Sequence, residues 1–524
     1  MENELASIHI TYWRNQLESR LLARCEQVSR EAISTKGLIP LATRSTGSIC
    51  LLKCAIVFFS RSLHRLMRGV PMTTSLSKLP HGPRSGLGLL MASLRDPIGL
   101  KYRLVAKYGD LLTFPSPFGT IIQTTDPQDI QAIFAADTGS FDVFAKQLIA
   151  PFMGASSILV LTGPKHTKTR KLLMPPFHGA RMRAYGETIR EITERQAAGW
   201  EVGKSFSAEK KMGEISLEVI IRTVFGLTDI AQIAHFGRLT RDYVEAFSPL
   251  IAAFSFLRHN FLGIGPWAKL QRCRHRVNEV LDGEIARCKR SPEGRQDILS
   301  LLVAARYDDG SPMSDDEIKD QLLTLLFAGH ETTAIALSWA LYRLYRLYQR
   351  EDVRKRVLQE LETLGPSPAP EAIAKLPYLE AVCHETLRLH PVTLGITRLL
   401  TQPFTLREYT LPAGASVAID IYMLHRNPTL YPEPESFQPE RFLKRTYTPF
   451  EFMPFGGGHR RCIGAAFALY EMKLVLATLL PLASLRLVHN RELKSVPRSF
   501  VVGPEQGVPM VLQSPLLSTQ HRTV

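Results

Sequence analysis

The amino-acid sequence predicts a mostly α-helical fold with small β-sheets. Helical periodicity of apolar residues dominates the 524-residue chain. Signals of β-strands cluster in only two segments, 111–124 and 404–420. The clearest helix is predicted from about Ser314 to Tyr348, which at about 1.5 Å per residue crosses a whole domain. Together these patterns favour one large helical domain with a few short strands.

Composition narrows the class of protein. The apolar fraction of 45% and the charged fraction of 22% are ordinary for a globular chain. The net charge of +15 favours an acidic partner, but no arginine-rich arm or helix-turn-helix signature is present, so nucleic acid is not expected. The seven cysteines include no C-x-x-C pair, which disfavours a disulfide framework or a structural zinc site and predicts a cytoplasmic location.

The chain is predicted to divide into an N-terminal extension (1–75), a catalytic domain (76–515) and a tail (516–524), with the Pro/Gly segment 79–83 marking the first boundary. The N-terminus has no basic region of a secretory signal. The apolar stretch from Ser48 to Phe59 is shorter than the roughly 20 residues that a spanning helix needs. Two alternatives stay open for it: peripheral membrane contact, or a helix packed on the protein.

The long helix carries an unusual centre. Ser314 and Glu317 form a capping box at its start. Its middle is apolar except for the run Gly329 to Thr333. Buried polar groups destabilise a fold unless they are hydrogen-bonded, so they are kept where they have a function. A glycine inside a helix lowers the stability of the helix by about 1 kcal/mol relative to alanine. A functional site is therefore expected at this point of the helix.

A glycine-rich loop, FGGGHRRCIG at 455–464, presents a single cysteine. A helix is predicted from Ala465 to about Leu480, so Cys462 lies just before a helix N-terminus, where the dipole and free N–H groups stabilise a thiolate. Such a thiolate suits an axial haem ligand, and Arg460 can pair with a haem carboxylate. A lone cysteine is usually a buried free thiol, but the F-x-x-G-x-R-x-C-x-G spacing favours the ligand.

This loop resembles the haem-binding signature of the cytochrome P-450 family, and the resemblance covers about residues 76–515. It implies the mostly helical P-450 fold with small β-sheets and haem b (iron protoporphyrin IX) as cofactor. Cys462 would be the axial ligand of the haem iron. Phe455, Gly458 and Gly464 would belong to the cofactor-binding loop.

A second motif of the family supports the loop. The segment ETLR at 385–388 matches the family's E-x-x-R, and 437–442 resembles the segment that supplies a further arginine. Glu385 and Arg388 share a helix face at i, i+3 and can pair. By resemblance, Glu385, Arg388 and Arg441 form a buried charged network that supports the haem loop.

The run AGHETT at 328–333 resembles the family's oxygen-activation motif. It implies that Gly329 leaves room for O₂ and that Thr332 hydrogen-bonds the outer oxygen or a water. Glu331 would be the acid of an acid–alcohol pair that relays protons. The alternative is a helix kink with a satisfied threonine. His330 is expected to touch solvent or another helix, not to be a ligand.

Three basic residues match positions that hold haem propionates in related bacterial enzymes. His166 and Arg170 lie four residues apart on one predicted helix face. Arg398 follows the segment His390-Pro391. Each could equally be a basic residue on the surface.

Electrons are expected from outside the chain, because no flavin or nicotinamide fingerprint is present. By resemblance, a ferredoxin or flavodoxin, with its reductase, docks on the thiolate side. An acidic partner suits a basic face, for which the candidates are Lys165, Lys168, Lys171 and Arg461. The protein is expected to be a monomer.

The predicted function is a haem-thiolate monooxygenase of secondary metabolism that uses O₂ to hydroxylate or epoxidise an apolar small molecule. A fatty acid, terpenoid, steroid or polyketide-like substrate fits equally. Apolar side chains that could line the cavity, or could be core, are Phe141, Phe144, Phe247, Phe254, Phe256, Phe327 and Leu394. Alternative functions are a peroxygenase or isomerase, against which Glu331 and Thr332 argue, and a non-catalytic haem-binding protein.

Overall fold

The structure is a computed structural model of the chain. It describes residues 79–116, 118–177, 179–247, 251, 258–260, 263–291, 293–346, 351–498 and 501–516. The N-terminal extension with its apolar stretch, the side chains of Phe254 and Phe256, and nearly all of the tail lie outside the described residues.

Helices form most of the described chain, as the apolar periodicity predicts. In chain order they are α1 Gly86–Arg95, α2 Pro97–Tyr108, α3 Pro127–Ala135, α4 Lys146–Met153, α5 Gly163–Leu173, α6 Gly179–Ala198, α7 Ala208–Phe225, α8 Ile230–Ala246, α9 Pro266–Arg290, α10 Ile298–Ala304, α11 Asp315–Tyr345, α12 Glu351–Glu362, α13 Pro370–Ile373, α14 Pro377–Leu389, α15 Ile421–Leu424, α16 Arg441–Lys444 and α17 Ala465–Leu482.

The strands are short and form small sheets. They are β1 Leu111–Ser116, β2 Gly119–Thr124, β3 Phe141–Val143, β4 Ser205–Ser207, β5 Gly395–Leu400, β6 Phe404–Leu406, β7 Tyr409–Leu411, β8 Ser416–Asp420, β9 Leu485–Leu487, β10 Ser495–Arg498, β11 Val501–Pro504 and β12 Pro509–Leu512. The largest sheet has the order β1-β2-β8-β5-β3, with β2 and β8 parallel and the other pairs antiparallel. The smaller sheets are β4-β12-β9, β6-β7 and β10-β11. The predicted fold class is confirmed.

Helix α11 is the axis of the larger apolar core. Its start shows the predicted capping box: the Glu317 amide donates to Ser314 Oγ (3.2 Å) and the Ser314 amide donates to the Glu317 carboxylate (2.9 Å). Further along, the side chains of Leu337, Trp339 and Leu341 are at most 1% exposed. Helix α7 packs along α11, so the centre of α11 is held from one side.

The loop between α4 and α5 is anchored to α11 by polar contacts. The Ser156 amide donates to Asp320 (2.9 Å), and the Ile158 amide donates to Gln321 (3.0 Å). These bonds satisfy buried backbone groups of the loop, which would otherwise be costly. These bonds therefore fix the start of α5 relative to α11.

Helix α17 is the one helix of the described residues that is long and apolar enough to cross a bilayer. However, 78% of its most apolar window is buried inside the fold. A helix surrounded by protein on all sides needs apolar residues all round. Its composition is therefore explained by its place in the core.

Glu471 of α17 is expected to make stability fall as pH rises. Neither carboxylate oxygen of this fully buried side chain has a hydrogen-bond partner in the described part of the chain. Burial raises the pKa of Glu471 to about 8, and the nearby Ser216 hydroxyl offsets this only in part. Between about pH 4.5 and 8 the folded state holds a proton that the unfolded chain releases, so stability declines across that window.

The Glu471→Gln variant should lose this component of the pH dependence, on the order of 3–5 kcal/mol. The free energy of unfolding from urea titrations at pH 5.5 and pH 8 measures it. Glu362→Gln, at an exposed position of α12, is the control and should keep the wild-type slope. Equal slopes for Glu471→Gln and wild type would contradict this account.

Candidate active site

The glycine-rich loop makes a tight turn against α3. Gly456 and Gly458 adopt left-handed φ values of 69° and 62°, a region that other residues rarely enter. A methyl group at Gly457 would come within 2.4 Å of the Phe134 ring. The close approach of Phe134 therefore requires a glycine at position 457.

The loop leaves the Cys462 side chain accessible although protein surrounds it. The Cys462 amide donates to the Phe455 carbonyl (2.9 Å), and α17 begins three residues later. The side chain is exposed, yet enough protein surrounds it that burial raises its pKa. A side chain that is accessible and yet surrounded by protein is explained if its sulfur faces a space that the fold encloses.

The pKa of Cys462 corrects one expectation from the sequence. The Gly464 backbone N–H, Arg170 and Arg461 do lower it, as a helix N-terminus and nearby cations should. Burial acts in the opposite direction and is the larger effect, so the pKa is raised overall. The charge of a bound metal would favour the thiolate form.

The other described cysteines are unlike Cys462. Cys273, Cys288 and Cys383 are all buried in the core. Burial raises the pKa of Cys383 to about 12, as expected for an inert thiol. Cys462 is thus the exposed thiol among the cysteines that the structure describes.

A group of basic side chains, here called the basic cluster, converges near the cysteine loop. It comprises His166 and Arg170 of α5, Arg398 of β5, and His459 and Arg460 of the loop. Burial, and then the charge of Arg460, lowers the pKa of His166 to about 3. Burial, and then Arg398, lowers the pKa of His459 to about 4. The two rings are perpendicular, with centroids 5.6 Å apart.

The basic cluster has an excess of positive charge. Burial, and then Arg460, lowers the pKa of Arg398 to about 10. Arg460 donates to the Leu161 carbonyl and feels Asp142, yet its own pKa is also lowered, chiefly by burial. Among the described residues, Arg170, Arg398 and Arg460 form no ion pair. Half-buried cations without counter-charges fit a ligand with more than one anionic group, such as the two propionates of haem b.

The basic cluster is expected to slow the loss of haem from the protein. Replacing Arg398 by glutamine should speed haem loss about 10-fold to 100-fold, because a hydrogen bond to a charged group is worth about 1.5–3 kcal/mol. The rate of haem transfer from the holoprotein to apomyoglobin measures this. Lys168→Gln, at an exposed position of α5, is the matched control and should keep the wild-type rate. Similar rates for Arg398→Gln and Lys168→Gln would argue against a propionate contact.

Glu385, Arg388 and Arg441 meet as predicted, in a buried charged network. Arg388 binds Glu385 in a bidentate manner, with distances of 2.7 and 2.8 Å, and Arg441 Nε adds a third contact at 3.2 Å. The Gln438 amide also donates to Glu385 (2.8 Å). Glu385 and Arg388 have no exposed surface. Every charge in this network therefore has a partner, which a buried ion pair requires.

The network connects to the cysteine loop through the backbone. Arg388 donates to the carbonyls of His425 and Pro434, both at 2.8 Å, and to that of Ser436 at 3.2 Å. The buried His425 ring accepts from the Met453 amide (3.1 Å), two residues before Phe455. The network thus braces the segment that leads into the loop, and His425 is a link that the sequence did not reveal.

The centre of α11 has an accessible face. Ala328 is exposed although it lies in the middle of a 31-residue helix. Thr332, one turn later on the same face, donates its hydroxyl hydrogen to the Ala328 carbonyl (2.7 Å). Thr333 makes the same kind of bond to Gly329 (2.9 Å) but is buried. The lone pairs of the Thr332 hydroxyl remain available to accept a hydrogen bond.

Gly329 has a packing role that the sequence did not suggest. A methyl group there would come within 2.6 Å of Cδ1 of Ile220 in α7. The glycine therefore allows α7 and α11 to approach closely. Its predicted role in making room for O₂ stays a prediction.

Glu331 has polar neighbours that sequence reasoning missed. Burial raises the pKa of Glu331, and Arg498 opposes this shift. Arg498 ends β10 and pairs with Glu209 of α7 at 3.1 Å. Burial likewise raises the pKa of Glu209, with Glu331 adding to the rise. Neither Arg498 nor Glu209 belongs to a motif that the sequence analysis identified.

The apolar residues predicted for the cavity separate into two groups. Phe141 is 9% exposed and packs on Phe404 in the core below the largest sheet, so it is a core residue. Phe247 and Phe327 are partly buried, and their rings contact Phe152 at centroid distances of 4.5 and 4.9 Å. Phe144 and Leu394 are also half-buried, and the Phe144 ring packs on Phe118.

The candidate docking residues are accessible. Lys165, Lys168 and Lys171 are exposed on α5, although Lys171 pairs with Asp308 at 2.6 Å. Arg461 is exposed next to Cys462. These residues belong to the same helix and loop that carry the basic cluster.

Comparison with known proteins identifies relatives over most of the chain. A family model described as Cytochrome P450 matches residues 80–509. The Mycobacterium tuberculosis protein named "Putative cytochrome P450 135B1" is 37% identical over 415 residues, which cover 78% of this chain and 85% of that protein. Its relative "Putative cytochrome P450 138", from the same organism, is 33% identical over 447 residues, with coverages of 84% and 97%.

A solved structure is also similar. It is described as "Retinoic acid bound cyanobacterial CYP120A1" and superimposes with a TM-score of 0.73 at 27% sequence identity. The match covers 84% of this chain and 100% of the solved chain. The arrangement of helices and small sheets is therefore shared along the whole of that protein.

Proposed function

The chain belongs to the cytochrome P450 family, whose members bind haem b, and we propose that it inserts an oxygen atom from O₂ into an apolar small molecule. Two electrons per turnover would come from a separate ferredoxin or flavodoxin and its reductase. The proposed catalytic domain comprises residues 76–515. The proposed location is cytoplasmic. The extension, residues 1–75, would make at most a peripheral contact with a membrane.

The acid–alcohol pair on the exposed face of α11 carries this proposal. Haem b bound at Cys462 supplies O₂ binding and redox chemistry. Thr332 would position a water molecule that donates a hydrogen bond to the free lone pairs of its hydroxyl. Because burial raises the pKa of Glu331, this carboxyl keeps its proton to a higher pH than an ordinary glutamate and can act as a donor.

The proposed proton path continues from Glu331 towards Arg498 and Glu209. Arg498 stabilises the ionised form of Glu331, which exists after the proton has left. Glu209, held at 3.1 Å from Arg498 and also with a raised pKa, is the next carboxyl that can exchange a proton. Arg498 would position Glu331, and Glu209 would return a proton to it.

An elongated apolar substrate is favoured. The half-buried side chains of Phe247, Phe327 and Leu394 offer apolar surface and no charge. The solved relative was determined with retinoic acid, an isoprenoid with one carboxylate. Terpenoids and fatty acids are therefore the first classes to test.

Turnover under ¹⁸O₂ tests the proposal. Holoprotein, a surrogate ferredoxin, its reductase and NADPH would be incubated with terpenoids and fatty acids that shift the Soret band of the ferric protein. The product should gain one ¹⁸O atom from O₂ and none from labelled water. Product formed only with hydrogen peroxide would instead indicate a peroxygenase.

Two further outcomes separate the remaining alternatives. A product with no added oxygen atom would indicate an isomerase. Spectral binding without any reduction-dependent product, across the whole panel, would indicate a non-catalytic haem-binding protein. Either outcome contradicts the proposed monooxygenase.

A further inference from the structure

A cleft of about 630 Å³ opens on the side of α11 that faces away from Thr332. Helices α6, α7, α8 and α11 form its walls. The floor is apolar and includes Leu217 and Ile221 of α7 and Ile233 of α8. Ile230, at the mouth, is 69% exposed. The volume lies in the range of about 300–1,000 Å³ that is usual for small-molecule sites.

The cleft lies away from the face of α11 that carries Thr332. His330 is the α11 residue that lines it. At 3.6 residues per turn, His330 points about 160° away from Thr332 around the helix axis. The close contact between Gly329 and Ile220 lies between α11 and α7, beside the cleft. An occupant of the cleft therefore would not touch the haem-side face of α11.

The rim of the cleft carries uncompensated positive charge. Its two glutamates already have partners: Glu218 pairs with Arg195, and Glu214 pairs with Lys211 at 2.9 Å. The other charged residues of the rim are Lys210 on α7 and Arg238 and Arg241 on α8. These three cations are exposed and form no ion pair with any residue that the structure describes. The rim thus suits one anionic group.

We propose that this cleft binds a single-chain alkyl carboxylate at a site distinct from the substrate pocket. The carboxylate would be held by Arg238, Arg241 and Lys210, since arginine binds carboxylates through two parallel hydrogen bonds. The alkyl chain would lie on Leu217 and Ile221 and end near His330. An apolar floor beneath a cationic rim matches this amphiphile better than a neutral or a purely polar ligand.

Calorimetric titration of the holoprotein with octanoate tests the proposal. The haem-side pocket is first closed with a saturating haem-ligating azole, so that remaining binding must occur elsewhere. Octanoate should bind one site per chain. Octanol, which lacks the charge, and acetate, which lacks the chain, should each bind about 10-fold or more weakly.

Two variants locate the site. The double variant Arg238→Glu, Arg241→Glu should weaken octanoate binding at least about 10-fold. The Ala234→Trp variant, which fills the cleft from an exposed wall position, should abolish it. Lys269→Glu, an exposed charge reversal on α9, is the matched control and should bind as wild type does. The double arginine variant, Ala234→Trp and Lys269→Glu should all keep the wild-type spectrum of the reduced carbon monoxide complex.

Four results would overturn the proposal. These are the absence of octanoate binding in wild type, equal binding of octanol, wild-type affinity in the double arginine variant, and loss of all octanoate binding when the azole is present. The last result would place the carboxylate in the haem-side pocket. Anionic vesicles that bind wild type while free octanoate does not would identify the rim as a lipid-headgroup contact, which also contradicts a single-chain site.

Discussion

Replacing Glu385 by alanine is expected to cost about 3–5 kcal/mol of folding stability and to prevent stable haem incorporation. The substitution leaves Arg388 and Arg441 buried without their shared carboxylate. Removing one partner of a buried pair costs far more than the pair itself contributes, because the remaining charge is not solvated. The free energy of unfolding and the haem content of the purified protein measure the two effects.

An ion pair at the protein surface provides the control. Glu201 pairs with Lys204 at 2.9 Å, and both side chains are at least 68% exposed. Glu201→Ala should therefore cost only about 1 kcal/mol or less and leave haem content unchanged. Comparable losses for the two variants would contradict a special role of the buried Glu385 network.

Thr332→Val and Glu331→Gln should each lower the yield of oxidised product per electron pair by about 100-fold. Each removes one member of the proposed proton relay while the haem ligand and the apolar pocket are kept. NADPH consumption should continue, so electrons are lost to other reduced oxygen species. The ratio of product formed to NADPH consumed measures this uncoupling.

Thr333 offers a matched control for Thr332. Both hydroxyls donate to the carbonyl four residues earlier, at 2.9 and 2.7 Å respectively. Thr333 is only 4% exposed and lies away from the exposed face of Ala328. Thr333→Val should therefore keep the wild-type coupling ratio. If both valine variants uncouple equally, the loss comes from a general disturbance of α11.

The features that the sequence predicted well carry strong local signals. The capping box of Ser314 and Glu317 and the long apolar periodicity located α11 to within a few residues. The spacing around Cys462 located the loop and the start of α17. The pairing of Glu385 with Arg388 followed from their i, i+3 spacing, whereas the contact with Arg441 followed from motif order.

The features that were missed depend on contacts between distant segments. Strands β4, β9 and β12 are three or four residues long and form a sheet only because the fold brings them together. Glu209 and Arg498 are almost 300 residues apart in sequence, yet they pair beside Glu331. The raised pKa of Cys462 likewise depends on how much protein surrounds the loop, which no spacing rule contains.

The spectrum of the reduced protein under carbon monoxide tests the central claim most directly. Ligation by the Cys462 thiolate predicts a strongly red-shifted Soret band in wild type. In the Cys462→His variant the shifted band should disappear while haem remains bound. A wild-type band without the red shift, or a red shift that persists in Cys462→His, would contradict haem-thiolate ligation by this residue.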